Sequence, residues 1–115
     1  MAEFMLIIRD EGVDFSKYSP TDFQSLLKKF GAWSKKLENQ GRLLGGKKLK
    51  EDGGKSLRVR GDKIIVDGPY ADTKEAIAGF YMIKANNLDE AVEIGRDCPC
   101  MTYGGSLEIR EVDHV

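Results

Sequence analysis

Two rhythms of apolar residues run through this chain. Phe4 to Arg9 is apolar at nearly every position and predicts a strand with no polar face. From residue 20 the rhythm changes. Phe23, Leu26, Leu27, Phe30, Trp33 and Leu37 recur at steps of three and four, which lays them along one face of a helix. Ser19-Pro20-Thr21-Asp22 supplies its start: a hydroxyl N-cap, a proline where no N–H is needed, and an acid three residues after the cap. Lys28, Lys29, Lys35 and Lys36 lie mostly off the apolar face, and Gly41 predicts a left-handed stop.

Leu43 to Lys50 reads as a second strand with an irregularity at Gly45-Gly46. Ser56–Arg60 and Lys63–Val66 flank Gly61-Asp62, a two-residue hairpin signal. Ile77 to Ala85 predicts a strand that is apolar on both faces through Ile77, Phe80, Tyr81, Met82 and Ile83. Asn87 caps a second helix carrying Leu88, Ala91, Val92 and Ile94, with Pro99 expected to end it. In the last strand, Ser106 to Val112, Leu107 and Ile109 oppose Glu108 and Arg110.

This order predicts one α+β domain over residues 1–115. It follows the ferredoxin-like βαββαβ plan, an antiparallel sheet with two helices on one face. That plan leaves the other sheet face bare, yet 4–8 and 77–85 have no polar face to offer water. A symmetric partner chain is the simplest cover, so a homodimer with stacked sheets is expected.

Composition narrows the function classes. The chain has 115 residues, is 41% hydrophobic and 32% charged, and carries a net charge of -1. That balance gives no general attraction to nucleic acid or to an anionic membrane. No apolar stretch approaches the roughly 20 residues of a bilayer span. Met1 to Arg9 lacks the basic segment and cleavage site of a signal peptide, so a cytoplasmic location is expected. Cys98 and Cys100 form a lone Cys-Pro-Cys, neither a disulfide framework nor a metal set, and no cofactor motif occurs.

Candidate chemistry concentrates in Asp67-Gly68-Pro69-Tyr70-Ala71-Asp72-Thr73-Lys74-Glu75. Asp67 can act as a general base or shape the turn before Gly68-Pro69. Lys74 and Glu75 can bind and polarise a small acid, or form a solvated ion pair. Tyr70 and Tyr81 can offer phenol donors or simply pack. Arg58 and Arg60 point to one strand face, as a carboxylate clamp or a solvated edge. Pro69 and Thr73 complete the expected ligand-binding set with Asp67, Tyr70, Lys74, Glu75, Tyr81 and Arg60.

The Asp67–Tyr70 and Thr73–Glu75 segments, with Gly79-Phe80-Tyr81, Leu88-Asp89-Glu90-Ala91, Cys98-Pro99 and Ser106–Arg110, resemble the YCII-related proteins. The closer likeness is to their branch named for Asp-Gly-Pro-Phe, here with Tyr70 in place of the phenylalanine. The resemblance implies a ferredoxin-like domain forming a dimeric α/β barrel. It implies a cleft at the dimer interface where a His–Asp pair is proposed as a dyad, with Asp67 matching the aspartate. The histidine has no counterpart: Phe30 and its neighbours stand at that position, and His114 is the chain's one histidine. The branch's association with sigma factors implies a sigma factor or another regulator as a possible partner class. The leading expectation is a homodimer binding a small organic ligand around Asp67–Glu75. The alternatives are a protein–protein module and a weak lyase- or hydrolase-like enzyme using Asp67.

Overall fold

The computed structural model describes residues 1–10, 13–50, 54–67 and 77–113. In chain order the elements are β1 (Ala2–Arg9), α1 (Pro20–Asn39), β2 (Leu43–Lys48), β3 (Ser56–Arg60), β4 (Lys63–Asp67), β5 (Ile77–Ala85), α2 (Leu88–Arg96), a 3-10 turn (Pro99–Thr102) and β6 (Ser106–Glu111). Four strands form an antiparallel sheet in the order β2-β5-β1-β6. β3 and β4 make a separate antiparallel hairpin inserted between the second and third strands of that sheet. This is the expected ferredoxin-like α+β plan, with the hairpin as an insertion.

Local chemistry sets the element ends. The Ser19 hydroxyl accepts the Asp22 N–H at 3.1 Å while Asp22 accepts the Ser19 N–H at 2.9 Å, closing a capping box on α1. Gly41, at φ 69°, releases the chain from that helix. The Asn87 side chain caps α2 by accepting the Glu90 N–H at 2.8 Å. α2 stops at Arg96, short of Pro99, because the Asp97 N–H turns back to the carbonyls of Ile94 and Gly95. Pro99 instead opens the 3-10 turn, at a position whose N–H has no partner to lose.

The core lies between the sheet and the helices. Phe4, Leu6 and Ile8 of β1, Ile83 and Ala85 of β5, Ala91, Cys98 and Cys100 are buried there with Trp33 and Leu37. Register decides which residues share that face: Phe4 opposes Ile83, Leu6 opposes Tyr81 and Ile8 opposes Gly79. The alternate residues Met5, Ile7, Phe80 and Met82 emerge on the outer face and are half-buried. None of the described helices is long and apolar enough to cross a membrane.

The apolar stripe of α1 behaves differently from the helix face its spacing implies. Trp33 and Leu37 are 5% and 2% exposed, but Leu27 is 59% exposed. The first half of the helix overhangs the sheet without touching a core beneath it.

Candidate functional site

The overhang follows from what the sheet presents below α1. In β2 and β5, Gly46 opposes Tyr81 and Lys48 opposes Gly79, so two glycines sit on the helix-facing side. Neither position has room for a side chain. A Cβ on Gly46 would stand 2.7 Å from the Phe80 carbonyl oxygen, and one on Gly79 would stand 2.7 Å from that of Lys47. A glycine floor cannot reach up to fill the space under Leu26, Leu27 and Phe30.

α1 is held at both ends. Trp33 and Leu37 root its second half in the core. At its start, Phe15 packs on Tyr18, Phe23 and Tyr103, with ring centroids 5.1, 5.9 and 5.3 Å away. The helix thereby bridges a cavity of about 860 Å³. Its size is that of a small-molecule site. Leu26, Leu27 and Phe30 line one side; Gly46, Ala78 and Gly79 line the other, with Ile77 and Leu49 among the remaining wall residues.

Polar groups mark its ends. The Ser34 hydroxyl donates to the Tyr81 phenol oxygen at 3.0 Å. The Tyr81 ring lies parallel to Phe30, 6.5 Å between centroids, and meets Trp33 edge-on at 4.8 Å. Tyr103 donates its hydroxyl to Asp10 Oδ1 at 2.9 Å. Burial first, and then the Asp10 charge and hydrogen bond, push the Tyr103 phenol far above its ordinary range, so it stays protonated. Lys47, Lys48 and Lys50 also line the cavity. Lys48 shares the helix-facing side with Gly79. Among the described residues none of these lysines has a carboxylate partner.

The cysteines lie elsewhere. Cys98 and Cys100 are buried and unbridged. Each thiol perturbs the other, and the Cys100 pKa is raised while that of Cys98 is lowered. With both inside the core they are closed to substrate. A second, shallower cleft of about 560 Å³ lies between α1 and α2, where Lys36 pairs with Asp97 at 3.4 Å and Arg42 pairs with Glu90. Those pairs cross-link the two helices and the start of β2. Among the described residues no three His, Cys, Asp or Glu side chains converge as metal ligands would.

Of the residues expected to form the site, Tyr81 lines the cavity. Arg60 does not; it ends β3 beside the hairpin turn. Asp67 is the last residue of β4 and pairs with Ser56 at the hairpin's other end, about 13 Å from the Arg60–Lys63 pair at strand spacing. The Asp67 side chain, Pro69, Tyr70, Thr73, Lys74, Glu75 and His114 lie outside the described residues. Asp10, Ser34, Lys48 and Tyr103 join the cavity without having been singled out from sequence. Gly79, inside an otherwise apolar strand, was the available signal, since such a glycine marks a close approach.

The YCII-related domain matches the chain over residues 2–114. The chain belongs to the YCII-related family. Over 51 residues it is 45% identical to an uncharacterised protein of Rhizobium meliloti (strain 1021). That stretch is 44% of this chain and 41% of the relative, so the match spans about two fifths of the relative's length. In this YCII-related chain Phe30 lines the cavity and stacks on Tyr81. The ring there offers apolar surface rather than a base.

Proposed function

We propose that this YCII-related protein binds a small organic molecule in the cavity beneath α1, and does so as a homodimer. The observation that carries the reading is the unfilled space itself. Leu26, Leu27 and Phe30 are held over a floor of Gly46 and Gly79, with a Ser34–Tyr81 pair at hand to orient a ligand. An apolar enclosure with a few fixed polar groups is the usual composition of a ligand site. Ile77 lines the same cavity and follows Glu75 by two residues, which supports a contribution from the Asp67–Glu75 segment.

Two apolar surfaces that no described element covers support the dimer. One is the outer sheet face of Met5, Ile7, Phe80 and Met82. The other is one face of the β3–β4 hairpin, where Leu57, Val59, Ile64 and Val66 are 55% to 73% exposed. Large contiguous apolar patches of this kind are uncommon on monomers. Sedimentation equilibrium at micromolar concentration should give a dimer. A stable monomer would leave both faces for a different protein and favour the sigma-factor or regulator reading.

The site itself is tested by nuclear magnetic resonance. Small organic molecules screened against the labelled protein should shift the amides of Leu27, Gly46, Gly79 and Tyr81 in a saturable way. Hits that move only the hairpin or outer-face amides would refute the assignment.

A further inference from the structure

We infer that the ligand of this cavity is an organic anion with an apolar, ring-sized body. The inference rests on the ligand-binding reading above and adds the ligand's charge. Leu27, Phe30 and Ile77 give the walls apolar surface, which suits a flat hydrocarbon body. The charged groups are unbalanced. Lys47, Lys48 and Lys50 line the cavity against one lining carboxylate among the described residues, Asp10. Asp10 is engaged, because it accepts the Tyr103 hydroxyl.

Lys48 has the best placement. It lies in the same cross-strand row as Gly79 and Ile8, on the helix-facing side, at the edge of the glycine floor. Lys47 belongs to the opposite sheet face by register and contributes its field rather than a contact. An anionic head at the Lys48 edge keeps its charge next to an ammonium while the body enters the apolar space. A cation would meet like charge there, and a neutral molecule would gain nothing from it. The Ser34–Tyr81 pair spends one of its two hydroxyl hydrogens on itself and can donate the other to an acceptor on the ligand.

Two fluorescent probes that differ by one charged group test this. 8-Anilinonaphthalene-1-sulfonate carries the anion, and N-phenyl-1-naphthylamine is the same skeleton without it. Both are titrated into the wild-type protein, Lys48→Gln and Leu27→Glu. The sulfonate should bind saturably and lose roughly three- to fivefold in affinity in Lys48→Gln, the scale of an exposed charge pair. The neutral probe should change by less than about twofold, because apolar burial is insensitive to that charge. Leu27→Glu should weaken both. Equal binding of the two probes, with no effect of Lys48→Gln, would overturn the anion inference and leave the cavity reading standing. Binding that ignores Leu27→Glu, or no saturable binding of either probe, would overturn the cavity reading as well.

Discussion

Replacing Leu27 and Leu37 by alanine separates the two halves of α1. Both residues belong to one apolar stripe, and a conventionally packed helix would lose similar stability at each. Leu37 is 2% exposed in the core, so Leu37→Ala removes a fully packed side chain and leaves a hole. Such changes cost about 3–5 kcal/mol. Leu27 is 59% exposed, so roughly two fifths of its surface is withdrawn from water. At about 1.5–3 kcal/mol for a whole side chain, that is about 0.6–1.2 kcal/mol. No cavity penalty is added, because the space beneath it is already open. Thermal denaturation monitored by Trp33 fluorescence measures both. In a domain of this size 1 kcal/mol moves the melting temperature by about 4 °C, so Leu37→Ala should fall by more than 10 °C and Leu27→Ala by less than 5 °C. Equal losses at the two positions would show that α1 is packed along its whole length, and the cavity would not exist.

Other consequences follow from single contacts. Gly79→Ala places a Cβ 2.7 Å from the Lys47 carbonyl oxygen; it should cost about 1–3 kcal/mol by forcing β2 from β5, read as a lower urea midpoint at unchanged slope. The Asn86 backbone N–H, followed by Arg42 and the Asn86 side chain, holds the Glu90 carboxyl below its ordinary 4.5, against a smaller opposing effect of burial. A depressed pKa gives stability that is present above 4.5 and lost as pH falls through the folded value. Stability measured from pH 6 downward should therefore fall less in Glu90→Gln than in wild type. Tyr103 has the opposite sign: its raised phenol stabilises the fold below pH 10, and that contribution is lost as pH rises. Alkaline titration of absorbance near 295 nm should show one late-ionising phenol that is missing in Tyr103→Phe.

Most of the architecture was legible in the chain because its signals are local. Ser19, Pro20 and Asp22 fix the start of α1 through contacts within one turn. Gly61-Asp62 sets the hairpin, and the Ile77–Ala85 run returns as β5 with the same bounds. The cavity was not legible, because it depends on residues far apart in sequence. The spacing of Phe23, Leu26, Leu27 and Phe30 states that they share a face but not what lies opposite. Gly46 and Gly79 withdraw the floor only once β2 pairs with β5. Asp10 and Tyr103 are 93 positions apart, and Ser34 and Tyr81 are 47 apart, so neither polar pair has a local motif. Tyr81 was named from sequence as a phenol that could donate to a ligand or simply pack. Arg60, chosen for its charge, went instead to the far end of the hairpin from Asp67.

The central claim is that α1 encloses a binding site rather than a core. Thermal unfolding of the wild-type protein and Leu27→Glu, each with a panel of aromatic and aliphatic carboxylates, tests it most directly. A ligand at about 100 times its dissociation constant adds roughly 2.7 kcal/mol, or about 10 °C in a domain of this size. The account predicts a carboxylate that raises the wild-type midpoint by that order and leaves Leu27→Glu unmoved. Equal shifts in both proteins would contradict it.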